Sequence, residues 1–419
     1  MKKSLLALAA LSAIAGAAQA QSSVTVYGIL DVGYIGTNSR ISDSSNANNG
    51  GQAKTTTNQF GQSAEQTSRL GFKGTEDLGG GSQALFTAEF QLYPQDQQLS
   101  GNGSATGSAG GLLNRQTFVG LHKNGLGQVA VGLQYTPVFA AVAATDVGQT
   151  NNMAGNVIYA STSSGNSNDG ASSNAMTVRT ANTLTVASDK FSGFGANVMF
   201  TENNKNASQV DSNTGVATSG GNTNASGWGL GADYTFKKFY VNAAYQSLKQ
   251  LTTVGNTATN ATPPVFGATP AAWTQAGANG ATTVVGGAVD STDNQTYVGA
   301  TYNFGILKAY AQYINRKVTA TANTGYYLKR QAEQIGVRSY ITPTIEGWAS
   351  AGLGRYTAFG TNTPTANFNG WQLGSNYYLS KRTNLYAIYG QTLTSNSAAG
   401  TVTTSGGYSN YAVGMRHTF

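Results

Sequence analysis

Apolar and polar residues alternate along this chain with a period of two. In "QALFTAEFQL", Ala84, Phe86, Ala88, Phe90 and Leu92 fall on one side of an extended backbone, and Gln83, Thr87, Glu89 and Gln91 on the other. "GWGLGADYTF" sets Trp228, Leu230, Ala232, Tyr234 and Phe236 against Gly229, Gly231, Asp233 and Thr235. The final residues continue the habit, with Tyr411, Val413, Met415, His417 and Phe419 opposite Ala412, Gly414, Arg416 and Thr418.

Runs of this kind predict sixteen strands, near 24–35, 64–77, 80–93, 112–122, 126–135, 176–188, 193–202, 226–236, 238–248, 294–304, 306–316, 330–341, 344–354, 369–379, 383–392 and 409–419. The connections alternate short and long. "DLGGG", "KNG" and "SKR" are short; 36–63, 94–111, 136–175, 203–225 and 249–293 are long and rich in Asn, Ser, Thr, Gly and Ala. An even number of strands about ten residues long, with short turns at one end and long loops at the other, describes a bacterial outer-membrane barrel. Hydrocarbon offers a backbone no hydrogen-bond partner, so a spanning sheet must close on itself. A soluble two-sheet sandwich also alternates, but nothing makes it sort its loops by length. Sixteen strands would enclose a water-filled lumen rather than a side-chain core. The predicted fold is therefore all-β, a 16-stranded antiparallel transmembrane barrel.

The alternation also assigns charges to faces. In "SRLGFKG", Leu70 and Phe72 join the lipid-facing set, so Arg69 and Lys73 point inward. Arg115 alternates with Gln116 and Phe118, and Arg179 with Asn182, Leu184 and Val186, which puts all three arginines on the non-lipid face. Avoiding lipid is reason enough for that placement, since a cation at mid-membrane costs roughly 2–4 kcal/mol. The glycine run in "GTEDLGGG" could cradle a phosphate only if a helix followed it. "SQALFTAEF" follows instead, so the glycines read as a tight turn.

The ends and the composition narrow the picture. "MKKSLLALAALSAIAGAAQA" has two lysines, a short apolar run and an A-x-A-like end, the layout of an export signal over residues 1–20. Its removal would leave a single domain, 21–419, and lower the net charge from +7 to +5. With only 10% charged residues, that surplus is too sparse for nucleic-acid binding. There is no cysteine, hence no disulfide or thiolate chemistry. The 54 glycines and 22 tyrosines fit many strands joined by polar loops.

"SSVTVYGILDVGY", "SRLGFKGTEDLGGGSQALFTAEF", "NRQTFVGLHKNGLGQVAVGLQYTP", "YYLSKRTNLYAIYGQ" and "YAVGMRHTF" together resemble the trimeric general porins of Gram-negative outer membranes, especially those of beta-proteobacteria. The resemblance covers essentially the whole mature chain. It implies a homotrimer in contact with outer-membrane lipid and lipopolysaccharide, passing small hydrophilic solutes and ions by diffusion, with no cofactor. It further implies a third extracellular loop folded into the lumen, here 136–175, and a cluster of wall arginines facing acids. Arg69, Arg115 and Arg179 match the cluster, with Lys73 beside it; Asp146 matches the loop acid and Glu89 a lumen acid. Phe419 resembles the terminal residue read by the barrel-assembly machinery. Where many relatives carry "GRQYTP" this chain has "GLQYTP", so Leu133 removes a cation near the base of the loop. The surplus of wall cations still predicts a weak preference for anions.

Two other functions are weighed on the same residues. Catalysis by a nucleophile and base needs a histidine in a cleft. The two histidines are His122, at a short turn, and His417, on the lipid-facing row. They offer no metal-ligand spacing either. Adhesion through the long loops 203–225 and 249–293 is the remaining alternative.

Overall fold

The computed structural model describes residues 23–43, 51–96, 99–100, 111–160, 175–207, 221–252, 291–320, 327–359, 365–399 and 402–419. The expected export signal lies outside them, as does most of loops 203–225 and 249–293. Seventeen extended segments carry the fold: β1 (Ser23–Asp43), β2 (Gln52–Gln62), β3 (Arg69–Gly79), β4 (Ser82–Gln91), β5 (Leu113–Lys123), β6 (Gly127–Tyr135), β7 (Arg179–Ser188), β8 (Phe194–Ala207), β9 (Gly221–Phe236), β10 (Phe239–Thr252), β11 (Ser291–Asn303), β12 (Lys308–Ala320), β13 (Tyr327–Tyr340), β14 (Ile345–Phe359), β15 (Thr365–Tyr378), β16 (Thr383–Ala399) and β17 (Val402–Thr418). Between β6 and β7 lies a helix, α1 (Pro137–Thr145).

Seventeen segments make sixteen wall strands, because β2 and β3 are two lengths of one strand. β1 pairs with β2 from Val32 to Ser42 and with β3 from Ser23 to Ile29. Residues 63–68 between them leave the wall and fold into the lumen as a shelf. The shelf is pinned by Asp31, whose Oδ2 accepts the backbone N–H groups of Glu65 and Gln66 at 2.9 and 2.7 Å. Asp31 Oδ1 accepts the Tyr386 hydroxyl at 2.6 Å. Every neighbouring pair is antiparallel, and β1 meets β17 from Ile29 opposite Thr418 to Asp43 opposite Thr404. Gly28 and Phe419 exchange both backbone hydrogen bonds at 2.9 and 3.1 Å, and the Phe419 ring lies where a side chain on Gly28 would stand. The barrel is closed.

Alternation sorts the faces as expected. Val119, Leu121, Val129, Val131, Leu184 and Val186 are all exposed on the outside, as are Leu353, Leu373 and Leu385. In water such a surface would be a liability; facing lipid it is the solvent match. Trp228, Trp371 and Tyr377 lie on these outward rows, whereas Tyr240 is on the lumen side, its hydroxyl 3.4 Å from Asn242 Nδ2. The glycine run is a turn: Gly79, Gly80 and Gly81 all have positive φ, at 81°, 60° and 75°, and β4 follows directly.

Strand boundaries differ from expectation at the loop end. Much of the loop expected at 36–63 is strand, and so are the described margins of 203–225 and 249–293: β1 runs to Asp43, β2 starts at Gln52, β8 reaches Ala207, β9 begins at Gly221, β10 ends at Thr252 and β11 begins at Ser291. Asn, Ser and Thr there show no apolar alternation because those lengths rise beyond the lipid. Backbone pairing holds them together with side-chain contacts such as Tyr411 on Asn58 and Arg316 on Asp293.

Candidate functional site

The packed interior is not the wall but what folds inside it. After β6 the chain turns inward at Thr136, whose extended backbone and side-chain oxygen cap the helix by accepting the Phe139 N–H at 3.2 Å. Pro137 occupies the first turn, where a missing N–H costs nothing. "PVFAAVAAT" has no polar face, so α1 is stable only where it is covered. It is covered by the lumen side of β9–β11. Val138 N–H donates to Gln246 Oε1 at 3.3 Å, Asn242 Nδ2 donates to the Ala141 carbonyl at 2.8 Å, and the Thr145 and Tyr297 hydroxyls meet at 2.5 Å. Val138, Val142, Ile158, Met176, Tyr297 and Ile314 are buried in one cluster between loop and wall.

Beyond α1 the loop follows the inner wall toward the shelf. Asn151 and Gln372 exchange side-chain hydrogen bonds at 3.2 and 3.1 Å. Ala154 N–H donates to Asn410 Oδ1 at 2.9 Å and Val157 N–H to Gln334 Oε1 at 3.0 Å. Asn152 Nδ2 donates to the Ser63 carbonyl at 2.7 Å, tying the loop to the shelf. At Gly155, φ is 95° and a Cβ would strike the Trp371 carbonyl, so only glycine fits. Two arginines reach in from β13 to hold loop carbonyls: Arg338 Nη1 on Val147 and Arg330 Nη2 on Val157, both at 2.6 Å.

Asp146 belongs to this framework. Its backbone N–H donates to the Val142 carbonyl, closing α1. Its Oδ2 accepts the Thr150 N–H at 2.6 Å and its Oδ1 accepts Asn156 Nδ2 at 2.8 Å. The carboxylate is 3% exposed, and the wall guanidinium near it is that of Arg338, not those of Arg69, Arg115 or Arg179.

The opposite wall, β3 to β7, gathers the other predicted residues. Arg115 Nε donates to Glu89 Oε1 at 2.8 Å and Arg69 Nη1 stands 3.9 Å from the same oxygen. Arg69 Nε donates to the Thr67 carbonyl of the shelf at 2.9 Å. Arg115 Nη2 donates to the Tyr135 hydroxyl at 3.2 Å, and the Arg179 guanidinium lies 5.9 Å from the centre of the Tyr135 ring. Tyr27 donates its hydroxyl to Glu89 Oε2 at 3.2 Å, with Lys73 Nζ 5.5 Å from the Tyr27 ring. Lys73 is exposed and sits toward the short-turn end. Leu133 pairs with Thr117 in the wall.

Arg115 arrives there for a reason the alternation does not contain. Gln116 is opposite Glu89 and Phe90 opposite Asn114, which leaves Arg115 as the extra residue of a β-bulge. Gln116 and Phe118 therefore share the lumen face, and an unbroken strand would send Arg115 outward with Val119 and Leu121. The expected opposition of Arg115 to Gln116 and Phe118 is corrected accordingly; the bulge re-aims the side chain. A second shift, between Gly132 and Gln134, falls beside Asn182, whose φ is 52°, and precedes Arg179.

Sequence reasoning missed the tyrosines. Tyr135, Phe139 and Tyr159 form a chain of rings with centroid separations of 4.7 and 5.8 Å, joining the loop to the arginine wall. It also missed three arginines with private partners. Arg338 meets both oxygens of Glu346 at 2.5 and 2.9 Å, Arg316 lies 2.6 Å from Asp293, and Arg416 3.5 Å from Glu65. Parity could have placed each charge inside; nothing in the sequence states the pairings.

A closed barrel with a lipid-matched exterior, an inward-folded loop and a one-sided charge cluster defines a membrane channel protein. The description Gram-negative porin matches residues 7–397, and the chain belongs to that family. It is an outer-membrane porin. It is 29% identical over 416 residues to an outer membrane porin protein of Bordetella pertussis, covering 92% of this chain and 93% of that one. Outer membrane porin protein 32 of Delftia acidovorans is 33% identical over 196 residues, covering 47% and 48%. Among solved structures it is similar to one described as an anion-selective porin from Comamonas acidovorans, with a TM-score of 0.62, 22% identity, and coverage of 95% and 100%. The trimer form of the outer membrane protein OmpT from Vibrio cholerae follows at 0.55 and 14%, covering 93% and 99%.

Proposed function

We propose that this porin lets small hydrophilic solutes and ions diffuse passively between the loop and the β3–β7 wall, with a preference for anions. One observation carries the sign: Arg69 and Arg115 share a single carboxylate, Glu89, and Arg179 stands beside the Tyr135 ring, whose hydroxyl Arg115 also reaches. The field across a narrow, low-dielectric passage then favours negative solutes. Lys73 extends the basic side toward the periplasmic mouth. Glu89 holds Arg69 and Arg115 in place, and Asp146 contributes by fixing the loop's shape rather than by facing the stream. The anion-selective description of the Comamonas acidovorans porin supports the same sign.

The working form is a homotrimer exported through residues 1–20, with 21–419 as its one barrel domain. Assembly machinery reads Phe419, and the mature barrel sits among outer-membrane lipid and lipopolysaccharide. The protein is a channel rather than an enzyme: His122 Nε2 is engaged 3.0 Å from Asp189 in the short turns, and His417 is held by Thr383 on the outward row.

The deciding experiment is the zero-current potential across a salt gradient, with the folded protein in a planar bilayer. A reversal potential on the anion side supports the proposal. A cation-side potential would keep the porin and reject the assigned sign.

A further inference from the structure

The outward rows of β12, β13 and β14 change character along their length. Near the short turns they carry Tyr313, Val337, Ile335 and Leu353, all exposed. Further along, the same rows carry Lys317, Lys329 and Arg355. Lys317 is directly opposite Lys329, and Arg355, opposite Gln331, is diagonal to it. Like charges facing each other across two strands destabilise a sheet unless something neutralises them. No ion pair formed among the described residues includes any of the three cations. Lys317 has only the Tyr327 ring, 4.4 Å from its nitrogen. Glu333 is the acid on these outward rows, and it lies nearer the short turns, opposite Tyr313 and Leu353.

Their height is equally specific. Lys317 is nine residues from the start of β12, Arg355 ten from the start of β14 and Lys329 eleven from the end of β13. A tilted strand climbs about 2.5 Å per residue, so roughly ten residues cross the ~25 Å apolar band. The three cations therefore share the plane where hydrocarbon ends at the long-loop side.

We propose that Lys317, Lys329 and Arg355 form a binding site for the phosphate groups of an anionic glycolipid headgroup in the outer leaflet. Phosphate suits the set: arginine offers a fork of donors and the lysines offer compact charges. The assignment rests on the outer-membrane porin reading, with the long loops outside. Arg40 and Lys54 are also directly opposite each other, but Arg40 is seventeen residues along β1, well above that plane. They provide a control of matched charge.

The full folded protein in detergent is titrated with bis-phosphorylated lipid A, and bound lipid is counted by native mass spectrometry. Lys317→Gln/Lys329→Gln/Arg355→Gln should bind at least tenfold more weakly, and Arg355→Gln alone about threefold more weakly. Arg40→Gln/Lys54→Gln should match the unaltered protein, and dephosphorylated lipid A should bind all forms equally poorly. Undiminished binding by the triple variant overturns the site, as does an equal loss in the Arg40/Lys54 control. A changed subunit count with lipid binding intact would assign the patch to a protein neighbour instead. Conductance of the same samples separates the two readings: a non-conducting unaltered protein would strike the channel, while the lipid counts would stand.

Discussion

Two stretches of the inner wall carry buried arginines, and they are provisioned differently. On β12, β13 and β17, Arg316, Arg338 and Arg416 each have their own carboxylate, Asp293, Glu346 and Glu65. On β3 and β5, Arg69 and Arg115 share Glu89, and Arg179 on β7 lies beside the Tyr135 ring. The three pairs of the first stretch are electrically closed, and Arg338 also donates to the loop's Val147 carbonyl; Arg330 on β13 differs, buried against the Val157 carbonyl and the Tyr356 and Phe368 rings with no ion pair among the described residues. The second stretch has more arginines than carboxylates and is the wall proposed to line the passage. Three of the four arginines on the loop-bearing side thus have an acid each, whereas the wall proposed for solutes has three arginines and one acid.

The comparison can be broken most sharply from the balanced side. Arg338→Ala would strand Glu346 without its guanidinium and Val147 without its donor. Breaking a buried pair from one side costs about 3–5 kcal/mol, so the folded form should convert to the unfolded band on gels at a clearly lower temperature. If Arg338→Ala proved as mild as Arg69→Ala, the two walls would not differ as described. From the unbalanced side, Arg69→Gln/Arg115→Gln/Arg179→Gln, paired with Glu89→Gln so that no buried carboxylate is stranded, should lower the anion-to-cation permeability ratio of the folded barrel about tenfold, an effect of about 1.4 kcal/mol. An unmoved reversal potential would deny that wall its role. Between them stands the loop: Thr136→Ala removes the helix cap at a cost of about 1 kcal/mol, and should appear as broadened single-channel conductance without a change of sign. The smallest effect lies outside the lipid. In the β7–β8 turn, the Asp189 carboxyl is held below its usual range by the His122 hydrogen bond and then by the Gly125 N–H. A depressed carboxyl stabilises above its ordinary pKa and loses that contribution as pH falls through the depressed one. The protection factor of the Gly125 amide, with the intrinsic pH dependence of exchange divided out, should therefore fall in acid, while selectivity measured at neutral pH stays as it was.

How much of this was legible depended on whether lipid wrote the pattern. Where a strand crosses hydrocarbon, every second residue must be apolar, and Leu70, Phe72 and the Tyr411–Phe419 row could be read directly. Arg69 and Glu89 followed from the same parity, whereas a register shift at Asn182 separates Arg179 from the alternating part of its strand. Arg115 reached the lumen too, but through an extra residue in the strand pairing, which one strand's alternation cannot reveal. The Asn- and Thr-rich strand ends beyond the membrane left no period to read. Asp146 was placed in the loop by resemblance, yet its direction depends on Thr150 and Asn156, which only the folded loop brings to it. Asp31 stood on the inward parity in "YGILDVGY"; the shelf it holds is a break in pairing with no signature of its own.

The closure of β1 on β17 joins Ile29 to Thr418, so the seam unites opposite ends of the chain. Contacts this distant form late, because the entropy of the intervening loop must be met before any pairing rewards it. Until then both edges are long, unpaired and apolar on one side, open to pairing with other chains. Gly28 and Phe419, locked at one end of that seam, thus mark where folding is slowest and the chain most vulnerable, in a molecule whose finished form has no edge at all.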